Sequence, residues 1–320
     1  MSRPPQDPTE RGQRRLDLAA RAAWLYYVGG RTQDEIAARL NLSRQGTQRL
    51  IALAREHGLI KFRLDHRIAE CVELAERLQA AFDLSFSDVV PAGEEALLSV
   101  AISAAAQIET CLLGRVPLVI ALGTGRTMRA AVQQVPALDR PQHRIVSLVG
   151  NLTRDGRASP YDVVMRLADQ AGAQCYPLPL PVVADTAEER GRMQAQRSYA
   201  TVHDLAAQAS VRFVGVSGIA PDGPLRRDGF ITEAELAELL ARGAVGEICG
   251  WSFDAEGVLI EGAVNARITA IPLDRPAAQP RIGVACGGEK VAALRAALRG
   301  RLLTGLITDE ATAAAVLLEA

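Results

Sequence analysis

The sequence predicts an α/β protein in which a small helix-turn-helix domain precedes a larger doubly wound, mostly parallel sheet. Three observations support this fold class. Two short amphipathic helices joined by a tight turn fit residues 32–55, TQDEIAARLNLSRQGTQRLIALAR. From Phe86 onward, short apolar segments alternate with amphipathic ones, which is the pattern of strands and helices in α/β folds. The length of 320 residues suffices for about two domains.

The first predicted element is a helix over residues 14–29, which Gly29-Gly30 would end. Trp24, Leu25 and Val28 are expected to pack this helix against those that follow. The arm that precedes it is polar and rich in proline, and we predict that it is disordered.

The two helices of residues 32–55 have recognisable end signals. Thr32 and Glu35 have the spacing of a capping box. Asn41 stands at the turn, and asparagine tolerates the left-handed backbone that such turns need. Ser43 is placed to cap the second helix. The segment is therefore predicted to be a helix-turn-helix motif.

The second of these helices carries a polar face that suits the major groove of DNA. Its predicted buried stripe is Thr47, Leu50, Ile51 and Ala54. Arginine can bond guanine edges, glutamine can bond adenine edges, and either can hold phosphate. The alternative is an ordinary helical hairpin with a solvated basic face. The predicted DNA-binding residues are Ser43, Arg44, Gln45, Thr47, Gln48 and Arg49.

Charge is distributed unevenly along the chain. Residues 1–67 contain 13 Lys+Arg and 7 Asp+Glu, a net charge of +6, so a total of −1 leaves −7 for the remainder. A basic head attracts the phosphate backbone, and an acidic body does not compete for it. The charge pattern therefore favours operator DNA as a partner and argues against a general nucleoid protein.

Composition argues against several other classes. No apolar run approaches the roughly 20 residues of a membrane-spanning helix, so no membrane partner is expected. The N-terminus lacks the apolar segment of a secretory signal. The 5 cysteines include no CxxC pair, which is typical of reduced cysteines in a cytoplasmic protein. The 4 histidines have no ligand spacing, so neither a metal nor another cofactor is expected.

Between the two domains, the sequence predicts a short strand over residues 59–64 and a helix over residues 67–83. Apolar residues recur along this helix at near-heptad spacing, at Ile68, Cys71, Ala75, Leu78 and Phe82. Such a seam could pair with a twin helix. The alternative is that the helix packs on its own domain.

The second domain is predicted to alternate strands with helices and shows no internal repeat. The predicted strands are residues 87–91, 118–122, 144–149, 174–178, 211–216, 246–253, 281–285 and 303–308. The predicted helices are residues 94–113, 126–135, 161–171, 187–197, 199–209, 232–241, 289–299 and 310–319.

Several strand ends are candidate ligand sites, because ligands in open α/β sheets bind beyond the carboxyl ends of the strands. Residues 123–127, GTGRT, lead from a strand into a helix, where amides and hydroxyls can cradle an anion. The alternative is a tight strand-to-helix turn. Gly150-Asn151 and residues 286–290 follow two other strands. Lys290 is one of 2 lysines in a chain with 36 Lys+Arg, which makes it a candidate anion ligand. The alternative is a solvated lysine at the start of a helix.

These motifs resemble those of the SorC family of sugar-responsive bacterial transcription regulators. The head AAWLYYVGGRTQDEIAARLNLSR resembles the DNA-binding start of that family. The segments GTGRT, SLVGN, PLPLPVVAD, VGVSGI, GAVGEICGWSFDAEG and GGEKVAALRAALRGRLLTGLITDEATA resemble its effector domain in order. The resemblance covers nearly the whole chain and implies an effector domain of the sugar-phosphate isomerase and deaminase type.

The resemblance also implies a sugar, polyol or sugar-phosphate effector that controls operator binding. Some members have a lysine where this chain has Gly150-Asn151, so no covalent adduct is implied. A sugar-phosphate isomerase or deaminase with a DNA-binding head is the alternative, but the Asp-Gly-Ala-Asp-Glu pattern of those isomerases is missing. The implied ligand-binding residues are Gly123, Thr124, Gly125, Arg126, Thr127, Gly150, Asn151, Asp254, Lys290 and Asp309.

We therefore divide the chain into three parts. Residues 1–64 form the helix-turn-helix domain with its disordered arm, residues 65–84 a linker or dimerisation helix, and residues 85–320 the effector domain. Because operators are commonly read by two heads at once, we expect a homodimer or homotetramer.

Overall fold

The structure, a computed structural model, describes residues 8–60, 69–161, 163–262 and 264–318. It divides the chain into two compact units, Met1–Asp65 and His66–Ala320. The helices of the described residues are α1 (Pro8–Tyr27), α2 (Gln33–Leu40), α3 (Arg44–Glu56), α4 (Ala69–Phe82), α5 (Ala96–Leu112), α6 (Arg126–Gln134), α7 (Val164–Ala171), α8 (Ala187–Gln194), α9 (Arg197–Ala207), α10 (Pro224–Arg227), α11 (Glu233–Ala241), α12 (Val291–Arg299) and α13 (Glu310–Leu317).

The strands of the described residues all belong to the second unit. They are β1 (Phe86–Val90), β2 (Val119–Leu122), β3 (Arg144–Ser147), β4 (Gln174–Tyr176), β5 (Val211–Gly215), β6 (Ser217–Gly218), β7 (Gly246–Ile248), β8 (Trp251–Phe253), β9 (Arg281–Val284) and β10 (Gly305–Asp309). Short 3-10 turns lie at Asn265–Arg267 and Gly288–Lys290.

Helices α1, α2 and α3 make up the first unit and bury a small core of their own. Alanines at α1 allow close helix packing, and Ile36 of α2 and Leu50 of α3 fill the centre. The prediction for α1 was partly wrong. Leu25 is buried, but Trp24 is 58% and Val28 is 70% exposed, so neither packs inside this unit.

The beginning and end of the first unit also differ from the prediction. Helix α1 starts at Pro8, so residues 8–13 are helical rather than disordered, and proline fits the first turn because no amide is needed there. Residues 1–7 lie outside the described part of the chain. Leu59 and Ile60 form no strand, and the rest of the strand predicted over residues 59–64 also falls outside the described residues.

The second unit is built on a seven-stranded sheet with the order β1-β10-β9-β5-β2-β3-β4. Every neighbouring pair of strands is parallel. Buried residues of α5, α6 and α7 form one core with one face of the sheet. Those of α4, α9, α12 and α13 form a second core with the opposite face. The doubly wound parallel sheet is thus confirmed.

Helix α4 belongs to the second unit and uses its apolar seam there. Cys71, Ala75 and Leu78 are buried in the core shared with β1 and α13. A seam buried in this way does not face a twin helix, so the alternative reading is correct for these positions. Ile68 lies outside the described residues.

The strand predicted over residues 246–253 is instead a tight hairpin. Strands β7 and β8 pair antiparallel, and with β6 they form a separate three-stranded sheet. Cys249 and Gly250 connect them with φ values of 52° and 87°, which is the backbone that a two-residue hairpin turn requires. The apolar residues Ile248, Cys249 and Trp251 suggest one strand and conceal the turn, because a cysteine is an unusual residue at positive φ.

The parallel sheet places several strand ends at one edge. β2 ends at Leu122, β3 at Ser147, β9 at Val284 and β10 at Asp309. The loops that follow these residues therefore meet at the carboxyl edge of the sheet, as ligand-binding loops do in open α/β folds. No helix of the described residues is long and apolar enough to cross a membrane.

Candidate functional site

The helix-turn-helix is held by caps at its ends. The Thr32 amide donates to Glu35 Oε2 (2.8 Å), and the Glu35 amide donates to Thr32 Oγ1 (3.3 Å), which completes the predicted capping box. Asn41 takes the left-handed conformation, with φ 55° and ψ 49°. Ser43 Oγ accepts from the Gly46 amide (3.0 Å) and caps α3.

Helix α3 presents a polar face to solvent. Arg44, Gln45, Gln48 and Arg49 are all exposed, in the first half of the helix. An exposed Asp34 carboxylate of α2 lies 3.8 Å from the Arg44 guanidinium. Exposed pairs of this kind are weak, so Arg44 remains free to turn toward DNA.

Thr47 does not belong to this face. The structure buries it completely, between the residues of α3 that form the core of the unit. Its hydroxyl has no hydrogen-bond partner. Thr47 follows Gln45 by two positions on the helix and so points nearly the opposite way, which makes its assignment as a DNA contact wrong.

The lysine cavity is a space of about 450 Å³ at the carboxyl edge of the sheet. The starts of α5, α6, α12 and α13 surround it, and unpaired amides at helix starts favour anions and hydroxyl oxygens. Among the predicted ligand residues, it is lined by Arg126, Thr127, Lys290 and Asp309.

The Lys290 ammonium lies in the lysine cavity with four other charged side chains, Glu94, Arg126, Glu289 and Asp309. It donates to Thr127 Oγ1 at 3.4 Å, and no carboxylate among the described residues forms an ion pair with it. Burial lowers the pKa of Lys290 below its ordinary value. The carboxylates of Glu289 and Asp309 attract the ammonium without a direct ion pair, so it can still bind an anion or a polar oxygen.

Asp309 lines the lysine cavity, but both of its carboxylate oxygens are hydrogen-bonded to Thr312. Its Oδ1 accepts from the Thr312 amide (3.0 Å) and its Oδ2 from the Thr312 hydroxyl (2.7 Å). The Thr312 hydroxyl in turn accepts from the Gly287 amide (2.9 Å). Asp309 therefore caps α13 and fixes the loop that leads to Lys290.

The asparagine cavity is a second space of about 240 Å³, lined by the ends of β2 and β3 and the start of α7. Gly123, Thr124, Gly150 and Asn151 are the predicted ligand residues that line it. A Cβ at Gly150 would lie 2.4 Å from the Leu180 carbonyl oxygen, so no other residue fits without a shift. The predicted ligand residues thus divide between two cavities.

The GTGRT turn explains this division. Gly125 has a φ of 128°, a conformation that side chains rarely adopt, and it reverses the chain before α6. Thr124, before the glycine, donates to the Tyr161 carbonyl oxygen (3.1 Å) and lines the asparagine cavity. Thr127, after it, lines the lysine cavity. Gly125 lines neither.

Asp254 is not brought to either cavity. Its Oδ1 accepts from the amides of Glu256 and Val258, both at 2.9 Å, and closes the turn after β8. Gly257 of this turn packs against Gly300, which lies just after the end of α12. Lys290 lies at the opposite end of this helix, just before its first residue. The predicted role of Asp254 in ligand binding therefore has no geometric support.

Glu247 is a candidate that sequence reasoning missed. Burial raises the pKa of its carboxyl, against the effect of a hydrogen bond from the Gly250 amide (2.8 Å). The Lys290 ammonium acts in the same direction as that hydrogen bond, so the two side chains lie within electrostatic reach. The hairpin turn at Cys249-Gly250 brings Glu247 within electrostatic reach of Lys290, and Gly250 at the second turn position is the local signal that could have revealed this turn.

Comparisons with known proteins agree with these features. Residues 66–318 match the family described as "Putative sugar-binding domain", and residues 22–68 match the MarR family. The erythritol catabolism regulatory protein EryD of Brucella abortus is 38% identical over 94% of this chain and 96% of its own length. The transcriptional regulator LsrR of an Enterobacter species is 32% identical over 94% of this chain and 93% of its own.

A solved structure matches over nearly the same span. The full-length sorbitol operon regulator SorC of Klebsiella pneumoniae has a TM-score of 0.69 at 26% identity, covering 94% of this chain and 99% of that one. The helix-turn-helix, the doubly wound sheet and the sugar-binding family match thus lead to one conclusion. The chain belongs to the SorC family of sugar-sensing transcriptional regulators.

Proposed function

We propose that this protein binds operator DNA through the exposed face of α3. A small polyhydroxylated effector that binds to its second unit lowers or raises the affinity for the operator. The observation that carries the proposal is the Lys290 ammonium, which has no direct ion pair among the described residues, in a cavity ringed by helix starts. The relative EryD is named for erythritol catabolism, which supports a polyol or sugar as the effector class.

Arg44, Gln45, Gln48 and Arg49 are proposed to read the operator, with Ser43 fixing the start of the helix. Because two heads are needed to read two half-sites, we propose that the protein acts as a homodimer or homotetramer in the cytoplasm. We assign it no catalytic step. Asp309, the buried carboxylate of the lysine cavity, is held by Thr312 and is not placed to move a proton.

The DNA-binding half of the proposal is tested with an operator selected from random DNA. Arg44→Ala and Arg49→Ala should each lower affinity for that operator about 10- to 100-fold, the usual value of a base contact. Arg55→Ala is the matched control, because Arg55 is exposed on the same helix but lies in its last turn. Wild-type affinity in both test variants would overturn the assignment of α3.

The effector half is tested by adding polyols, free sugars and sugar phosphates to the complex with the operator. At least one compound should change operator affinity about fivefold or more, the lower range of allosteric coupling. The same compound should lose its effect in Lys290→Met. If no compound changes operator affinity, the sensing function assigned to the second unit is wrong.

A further inference from the structure

We infer that residues 153–159, the lid, close the asparagine cavity on one side and open when Arg154 separates from Glu235 and Asp185. Arg154 is then a positioning residue, which holds the lid in its closed state. The inference rests on the proposed function in one respect, because such a lid would admit part of an effector to this cavity. The opening itself can be measured without an effector.

The lid forms one wall of the asparagine cavity. It follows β3 in the chain and turns back at Gly156, whose φ is 81°. After this turn, Ala158 and Ser159 line the cavity. The Ser159 amide donates to the Asn151 carbonyl oxygen (2.7 Å), which closes the loop on itself. Movement of the lid away from Asn151 would therefore break this hydrogen bond and widen the cavity on this side.

The residues at both ends of the lid are fixed. Before the lid, the Leu152 amide donates to the Leu180 carbonyl oxygen (3.2 Å). After it, the Tyr161 carbonyl oxygen accepts from the Thr124 hydroxyl (3.1 Å), and the Tyr161 hydroxyl donates to Asp228 (2.6 Å). Leu152 and Tyr161 can therefore stay in place as hinges while the residues between them move.

The lid is braced internally and has little apolar contact with the rest of the unit. The Thr153 amide donates to the Arg157 carbonyl oxygen (2.8 Å), and the Arg157 guanidinium donates to Asp155 (2.6 Å). Residues 154–158 are all exposed, and the lid, which is described throughout, contributes no residue to either core. Segments with few buried apolar contacts open locally at low free energy. The lid is therefore suited to move as one piece.

Arg154 ties the lid to two other segments of the second unit. Its Nη1 donates to both carboxylate oxygens of Glu235 (3.0 and 3.1 Å), and its Nη2 donates to Asp185 Oδ1 (2.8 Å). No other side chain of residues 153–158 has a hydrogen bond or ion pair to a described residue outside this range. The side chains of Arg154 and Glu235 are 29% and 16% exposed, so water screens their attraction less than that of a surface pair.

The Glu235 carboxylate is held in place without the help of Arg154. Its Oε2 accepts from the Thr232 amide (2.7 Å) in the capping box of α11, and its Oε1 accepts from the Arg267 guanidinium (2.5 Å). Opening of the lid therefore releases the Arg154 side chain and leaves its partner in position. The closed state can form again without a rearrangement of α11.

The test measures access to the asparagine cavity in the full chain, with neither effector nor DNA. Ser147 lines the cavity and is 5% exposed, so Ser147→Cys places a thiol there with little change in shape. Iodoacetamide alkylates this thiol when the lid is open, and peptide mass spectrometry separates position 147 from the native cysteines.

In the Ser147→Cys background, Arg154→Met should raise the rate of alkylation at position 147 about 10-fold or more, the value of a partly buried hydrogen bond between charged groups. Glu235→Gln should also raise it, and the two substitutions together should add little to either one, because they break the same contact. Arg157→Met is the matched control. Arg157 is exposed and pairs with Asp155 inside the lid, so its loss should change the rate less than about twofold.

Three outcomes would overturn the inference. One is a thiol at position 147 that reacts as fast as the exposed Cys175 before Arg154 is changed, since the cavity would then be open already. Another is a rate that neither Arg154→Met nor Glu235→Gln alters. The third is an equal rise in Arg157→Met.

Failure of the lid is distinguishable from failure of the proposed function. If alkylation follows the expectation but no compound changes operator affinity, the lid stands and the sensing function is wrong. If a compound changes operator affinity but alkylation does not depend on Arg154, the sensing function stands and the lid is wrong.

Discussion

Replacing Lys290 with methionine should make the protein more stable while it removes the response to anions. The ammonium is largely buried, donates one long hydrogen bond to Thr127 and has no ion-pair partner among the described residues. Methionine has a similar length and carries no charge. The substitution therefore removes a desolvation cost from the folded state and, at the same time, the cation that an anion would meet.

The size of the gain follows from related cases. Replacing a buried ion pair with apolar groups of similar volume is often neutral or stabilising by about 1–4 kcal/mol. Lys290→Met falls at the low end of this range, because it also removes the hydrogen bond to Thr127 and the attraction of the ammonium to Glu247, Glu289 and Asp309. A gain of about 1 kcal/mol raises the melting temperature by about 2–4 °C in a domain of this size. Arg166→Met, which changes an exposed arginine of α7, should stay within about 0.5 kcal/mol of the wild type.

The pH dependence supplies a second measurement. The folded-state pKa of Lys290 lies below its ordinary value of 10.5, so the folded state binds this proton less tightly than the unfolded state. The advantage of the methionine variant should be constant below the folded-state pKa and should disappear as the pH rises to the ordinary value. Thermal unfolding across this range measures it. A methionine variant that is less stable than the wild type at neutral pH would refute the reasoning.

Three further substitutions test the backbone and the caps, each by thermal or chemical unfolding. Gly150→Ala should destabilise the second unit by about 1–3 kcal/mol, because the new Cβ would lie 2.4 Å from the Leu180 carbonyl oxygen; unchanged stability would mean that the loop yields freely. Asn41→Gly should stabilise the first unit by about 0.5 kcal/mol, since φ is 55° there, and a loss of stability would contradict this. Thr32→Ala should cost about 1 kcal/mol through loss of the capping box, and no change would show that the cap is redundant.

The features predicted well from the sequence are those that a short segment determines. The capping box at Thr32, the left-handed Asn41 and the cap at Ser43 each involve residues within four positions of one another. The strands of the parallel sheet are short apolar runs, and a run of this kind has few other ways to be buried. Local chemistry and burial point to the same structure in these segments, so one sequence suffices.

The predictions that were wrong concern residues whose surroundings depend on contacts between segments that are far apart in the sequence. The apolar seam of α4 fits a twin helix and its own sheet equally well, and only the position of β1 and α13 decides between them. Helical spacing predicted that Thr47 is buried, whereas its position in the motif predicted a DNA contact. The structure buries Thr47, so the prediction from helical spacing is correct. The hairpin turn at Cys249-Gly250 carries only half of its usual signal, a glycine at the second position with neither asparagine nor glycine at the first.

The chemistry of the effector site is the least local feature of all. Lys290 and Thr127, which share a hydrogen bond, are separated by 163 positions in the chain. The glycine-containing turns can be recognised because they must be local, whereas the polar side chains need only converge in space. The sequence therefore indicates where an effector binds more clearly than what it is. The same fold can accept a different effector when a few loop side chains change, because the sheet and the glycine-containing turns that form the cavities stay in place.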